Sequence, residues 1–206
     1  IIIQGFPGLR TDNAGRFMAL TPSNMLPLGT VAPDFSLQDT EGKLVTLNSF
    51  SESRLLLVAF ICNHCPFVKH ISSELATMAN EYQSKGVAFV AINSNDIQAY
   101  PDDNMENMVR EVQEAGYCFP YLLDEAQEVA KAYDAACTPD FYVFDQNRLL
   151  VYRGQLDGSR PGNNIPVTGE DIRSALDILL VGGSLTEQQT PSVGCNIKWK
   201  PGNEPD

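Results

Sequence analysis

Two cysteines stand two residues apart in Cys62-Asn-His-Cys65, and Pro66 follows at once. This spacing lets the two sulfurs close a disulfide. One thiolate can then attack a foreign disulfide while the other thiol resolves the mixed species. A short apolar run, Leu55 to Ile61, precedes the pair, and a helical pattern follows it. A cysteine between a buried strand and a helix meets free backbone N–H groups and the positive end of the helix dipole, both of which favour a thiolate. On this reading Cys62 attacks and Cys65 resolves. His64 can carry charge near neutral pH, and is expected to stabilise the Cys62 thiolate and make the disulfide more oxidising. Asn63 is the second modulating spacer. Two other readings stay open: half of a metal site, or an inert pair. A zinc site wants four ligands, and only His64, His70 and isolated cysteines remain to complete one. Neither a metal nor a cofactor is expected.

The elements that must position the pair follow from periodicity. Leu55 to Ile61 has no polar alternation, as in a strand buried on both faces. From Pro66 the period becomes helical, with Val68, Ile71, Leu75 and Tyr82 on one stripe and Gly86 as the stop. Val87 to Ile92 is a second buried strand, so the unit is β-α-β with parallel strands and a right-handed crossover. A helix is expected to begin within Asp102 to Asn107 and stop at Gly116. Asp124 is the expected cap of the next helix and Thr168 that of the last. Hairpins are expected around residues 39–42 and 146–147. Residues 1–27 read as an irregular arm, 28–183 as one α/β domain, and 184–206 as a tail that docks on it. The tail carries Cys195 and the single tryptophan, Trp199.

Composition narrows the functions. With 14 Lys and Arg against 26 Asp and Glu, the net charge is −12, which disfavours nucleic acid and anionic lipid. No apolar run approaches the ~20 residues of a membrane helix. Five cysteines in 206 residues are too few and too odd in number for a disulfide scaffold. One pair plus scattered singles suits a reducing compartment, so the expected location is the cytoplasm, or the periplasm if a signal peptide has been removed. Oligomeric state is not legible.

Three stretches together resemble the thioredoxin fold. They are Gly29-Thr-Val-Ala-Pro-Asp-Phe-Ser-Leu37 with Asp39-Thr-Glu-Gly-Lys43, then Cys62-Asn-His-Cys65-Pro66, then Thr138-Pro139. More narrowly, the chain is similar to the peroxiredoxin-like branch of alkyl hydroperoxide reductase and thiol-specific antioxidant relatives, and to membrane-tethered thioredoxin-like proteins. The resemblance implies a mixed central sheet flanked by helices and a thiol–disulfide oxidoreductase acting on protein or small-molecule thiols and disulfides. It implies that Pro139 is cis beside the dithiol, and that Thr138 offers backbone hydrogen bonds to a bound thiol substrate. Peroxide is the alternative substrate. However, a peroxiredoxin carries Pro-x-x-x-Thr-x-x-Cys and an activating Arg. Here Cys65 falls at the peroxidatic position, Cys62 stands where the Thr should be, and residues 58–61 supply no Pro. The buried carboxylate that moves protons in thioredoxin has no counterpart in Leu55 to Phe60, so another base must serve. A redox-inert binding module or metal carrier is the alternative of a different class.

The remaining candidates are lesser. Cys137, next to Thr138, and Cys195, on the tail, are candidate additional redox thiols, with simple packing as the competing reading. Cys118 is expected in the core beside Phe119. His70 is expected to be solvated, and Arg153 structural.

Overall fold

The structure is a computed structural model and describes residues 10–11, 17–18 and 20–205. Of the arm expected over 1–27, residues 1–9, 12–16 and 19 lie outside the described residues. In chain order the elements are β1 (Arg10–Thr11), β2 (Phe17–Met18), β3 (Leu20–Pro22), β4 (Ser36–Asp39), β5 (Leu44–Thr46), β6 (Leu55–Phe60) and α1 (Pro66–Gln83). They continue with β7 (Val87–Asn93), α2 (Met105–Ala115), β8 (Tyr121–Leu123), α3 (Glu128–Ala132), β9 (Cys137–Thr138), β10 (Asp140–Phe144), β11 (Leu150–Gly154), α4 (Glu170–Leu180) and β12 (Val193–Asn196).

Among the described residues the main sheet has seven strands in the order β11-β10-β6-β7-β8-β4-β5. The β6, β7 and β8 strands run parallel, and the flanking pairs are antiparallel. Every residue of β6 is buried. Leu55, Leu57 and Ala59 pack with Val68, Ile71 and Leu75 of α1 and with Ile172 and Leu176 of α4. Leu56, Val58 and Phe60 pack on the other face with Val129 and Ala130 of α3 and with Tyr133. Each leucine buried this way contributes roughly 1.5–3 kcal/mol. The dithiol loop therefore leaves from a strand buried along its whole length. No helix among the described residues is long and apolar enough to cross a membrane.

Helix starts differ from the sequence reading in instructive ways. Before α2, a 3-10 turn occupies Pro101–Asp103, and Asn104 is the cap, accepting from the Asn107 N–H at 2.9 Å. Asp124 is not the N-cap residue of α3, which is Gln127, but it caps the first turn from three residues further back. Its Oδ2 accepts from the Ala130 N–H (2.9 Å) and the Ser94 hydroxyl (2.8 Å), and the helix begins only at Glu128. At α4 the cap is Gly169, with φ +65°, not Thr168. Buried Asp157 accepts the N–H groups of both residues, each at 2.7 Å. Long-range carboxylates thus do the capping expected of neighbours in sequence.

Proline has no N–H to give a ladder, and the chain changes sheets at Pro139. β10 stays beside β6, while β9 joins a three-stranded sheet ordered β3-β12-β9. The Thr138–Pro139 bond is cis. Directly after it, Asp140 is fully buried, accepting from Ser23, from the Tyr142 hydroxyl at 3.1 Å and from the Ala136 N–H at 3.4 Å. Burial outweighs these donors and raises its carboxyl from 3.8 to about 6. A carboxyl raised on folding contributes stability that is complete below its unfolded value and lost as pH climbs through the folded one. The loss is on the order of 3 kcal/mol. Urea unfolding at pH 4 and pH 6.5 should show this decrement in the wild type and its absence in Asp140→Asn; equal slopes in the two proteins would contradict it.

Candidate active site at the Cys62–Cys65 pair

Pro66 fits the first position of a helix, where its missing N–H is not needed. The residue before it must then be the cap, and the cap of α1 is Cys65, not Cys62. The intervening loop is pinned by one carboxylate. Asp103 is fully buried. Its Oδ1 accepts the backbone N–H groups of Asn63 (2.8 Å) and His64 (3.2 Å). Its Oδ2 lies 2.6 Å from His64 Nδ1 and accepts from Asn95 Nδ2 at 2.8 Å. Asn63 adds a bond from its Nδ2 to the Asp102 carbonyl (2.9 Å) and accepts the Tyr121 hydroxyl at 3.0 Å. The His64 ring stacks on Tyr100, with centroids 5.4 Å apart and planes 11° from parallel.

This arrangement gives His64 a carboxylate partner beside Cys62. Its Nδ1 is engaged by Asp103, and Asp103 brings negative charge to the Cys62 side of the pair. Burial first, then its hydrogen bond to Cys65 and the Asp103 charge, push the Cys62 thiol well above the ordinary range, against the opposing Thr138 hydroxyl 3.4 Å away. Burial pushes Cys65 up as well, but donors overcome it. Hydrogen bonding from Cys195, Cys62 and Thr138 brings Cys65 well below the ordinary range. The Val68 amide of the first helical turn adds to this without closing a full capping bond. The two thiols are thus shifted in opposite directions, Cys62 up and Cys65 down. Cys65 Sγ also lies 3.2 Å from the Thr138 carbonyl oxygen, so Thr138 touches both sulfurs.

Of the other candidates, Cys195 is brought to the pair, its Sγ 3.0 Å from Cys65 Sγ. Cys137 is buried, and its hydrogen bond goes to the Pro139 carbonyl at 3.5 Å and not to the dithiol. Burial, then the Asp140 charge, push its thiol up. Cys118 is exposed rather than core, because Tyr117 and Phe119 turn inward on either side of it. His70 is partly covered, with Nε2 2.7 Å from the Ser159 hydroxyl. Asp103 itself escaped the sequence reading, where it was one acid at a helix start. The signal lay in topology: residues 94–104 follow β7, which is parallel to β6, so both loops leave the same edge of the sheet.

The AhpC/TSA family model matches residues 28–153. The chain belongs to the AhpC/TSA family. Within it, this AhpC/TSA chain is 27% identical over 129 residues to the thiol-disulfide oxidoreductase ResA of Geobacillus thermodenitrificans, covering 62% of this chain and 68% of the relative. It spans about two thirds of the length of the curated relatives it matches. A crystal structure of an uncharacterized conserved protein from Geobacillus kaustophilus is 59% identical, with a TM-score of 0.87, covering 89% of this chain and 98% of that one. The thioredoxin domain of a thiol-disulfide oxidoreductase from Bacteroides vulgatus matches at TM-score 0.57 and 20% identity, over 73% of this chain and 99% of that one. That likeness shows the thioredoxin fold.

Removing the Asp103 side chain orphans two buried N–H groups and the Asn95 amide, each costing about 1–3 kcal/mol. Asp103→Ala is therefore expected to lose at least about 3 kcal/mol of unfolding free energy in urea, and Asp103→Asn clearly less. A loss below about 0.5 kcal/mol for Asp103→Ala would show that the carboxylate does not hold the loop.

Proposed function

We propose that this AhpC/TSA-family chain is a thiol–disulfide oxidoreductase in which Cys65 attacks and Cys62 resolves. The observation that carries the reading is the unequal setting of the pair: Cys65 stands at the N-cap position of α1 with Cys195 Sγ at 3.0 Å, while Cys62 lies by His64 and Asp103. The Cys65 thiolate attacks a substrate disulfide, forms a mixed disulfide and expels one substrate thiolate. Cys62 then attacks the Cys65 sulfur, the enzyme disulfide closes, and the second substrate thiolate leaves. Cys62 must give up its proton in that step. Cys62 Sγ, a ring nitrogen of His64 and an Asp103 oxygen lie within 4.8 Å of one another, so the His64–Asp103 unit is placed to take it. This unit supplies the base that the apolar strand β6 lacks.

Thr138 and the cis Pro139 are proposed as the substrate platform, from the contact of Thr138 with both sulfurs. Substrates are thiols and disulfides. No arginine is hydrogen-bonded to either sulfur among the described residues, which favours disulfide exchange over peroxide reduction. The sparse, odd set of cysteines in the sequence supports a cytoplasmic location, with the periplasm as the alternative if a signal peptide has been removed.

A second reading has its own observation. Cys62, His64 and Asp103 have the proximity of a three-ligand metal site. Metal retained in native mass spectrometry by the wild type and lost in Cys62→Ser would favour a metal carrier.

The exchange reading is tested by trapping. In a Cys195→Ser background, Cys62→Ser should accumulate a mixed disulfide with a model peptide disulfide, and Cys65→Ser should not. Accumulation only in Cys65→Ser would reverse the two roles. In stopped flow, His64→Ala should slow resolution by about 10²-fold while leaving the first attack within a few-fold; equal slowing of both steps would remove the proposed base.

A further inference from the structure

The edge of β9 that would receive a partner strand is already filled. β12 pairs antiparallel with it, Cys195 opposite Thr138 and Asn196 opposite Cys137. The approach is close: a Cβ on Gly194 would lie 2.0 Å from the Thr138 carbonyl oxygen, so only glycine fits there. On its far side β12 pairs with β3. Further contacts fasten the following residues. Lys198 donates its N–H to Asn95 Oδ1 (2.8 Å), and its carbonyl accepts the Asp96 N–H (2.8 Å) and Gln127 Nε2 (2.9 Å). With this strand in place Cys62 and Cys65 are 1% and 0% exposed, and no outside disulfide reaches either sulfur. The sulfur that does reach Cys65 is that of Cys195, at 3.0 Å.

We propose that the tail strand is a built-in substrate mimic and that Cys195 is a third redox thiol, sharing Cys65 with Cys62. This rests on the exchange reading above. Once a substrate disulfide has oxidised the pair, Cys195 attacks Cys65 Sγ. The Cys65–Cys195 bond forms, the Cys62–Cys65 bond breaks, and Cys62 leaves as a thiolate. The proton lost by Cys195 passes to Cys62, with no further oxidant or reductant consumed. The tail then stores the disulfide covalently on the partner platform, and an outside substrate must displace it.

The test is disulfide mapping of the full chain after oxidation with oxidised glutathione, alkylation of free thiols and digestion. Wild type should yield both Cys62–Cys65 and Cys65–Cys195 peptides, and Cys62→Ser should yield Cys65–Cys195 within a monomer. Cys62–Cys65 in the wild type without Cys65–Cys195 in either protein would overturn the relay and leave the exchange reading standing; no disulfide at Cys65 in any protein would overturn both. Gly194→Val, which cannot keep the close approach, should speed reduction of a model peptide disulfide at least several-fold by exposing the pair. An unchanged rate in a folded Gly194→Val protein would overturn the mimic.

Discussion

A carboxylate removed from water must find its partners in the chain, and Asp103 finds them in the loop that carries the two cysteines. Two backbone N–H groups, a histidine ring and an asparagine amide converge on its two oxygens. The loop between β6 and α1 is held from below by β6 and from the side by this one group. The same charge polarises the dithiol. Burial and the contact with Cys65 raise Cys62 and this charge adds to them, while Cys195, Cys62 and Thr138 bring Cys65 down against burial. The position of the pair thus depends on a single buried group contributed from forty residues downstream, whose charge also adds to the polarity of the dithiol.

The fold makes that meeting unavoidable. β6 and β7 run parallel, so the loops after them share one end of the sheet. The Pro139 break sets β9 across the same end, where Thr138 meets both sulfurs. β12 then closes the gap against β9 and β3, and Ile197 and Trp199 carry the chain onto the second core face. Cys62, Cys65 and Cys195 all sit in one buried cluster with α1. A site so enclosed reacts only when its cover moves, which gives the tail a place in the chemistry.

Much of this was legible in the chain. The unbroken apolar run of β6, the change of period at Pro66 and the Thr138-Pro139 pair mark the sheet centre, the helix and the platform from local pattern alone. Pro66 even identifies Cys65 as the cap, once its place in the first turn is taken literally. What local pattern could not supply was long-range. Asp103 reads as one of several acids at a helix start and Asp124 as a local cap, and nothing in the sequence marks Asp157, yet the partners of all three lie across loops. The expected helix caps were displaced for that reason. No local pattern around Cys62 marks Asp103 as the partner of His64. Cys118 was misplaced because it takes the outward turn between two inward aromatics. The Cys195 contact depends on tail pairing that periodicity does not encode in a four-residue strand.

The polarity of the dithiol is the central claim, and it can be read residue by residue. With cysteine labelled at ¹³Cβ, NMR titration of the reduced protein follows each thiol separately. Cys65 should lose its proton well below the ordinary thiol value of about 8.5, and Cys62 well above it. A Cys62 resonance that titrates at lower pH than that of Cys65 would contradict the account.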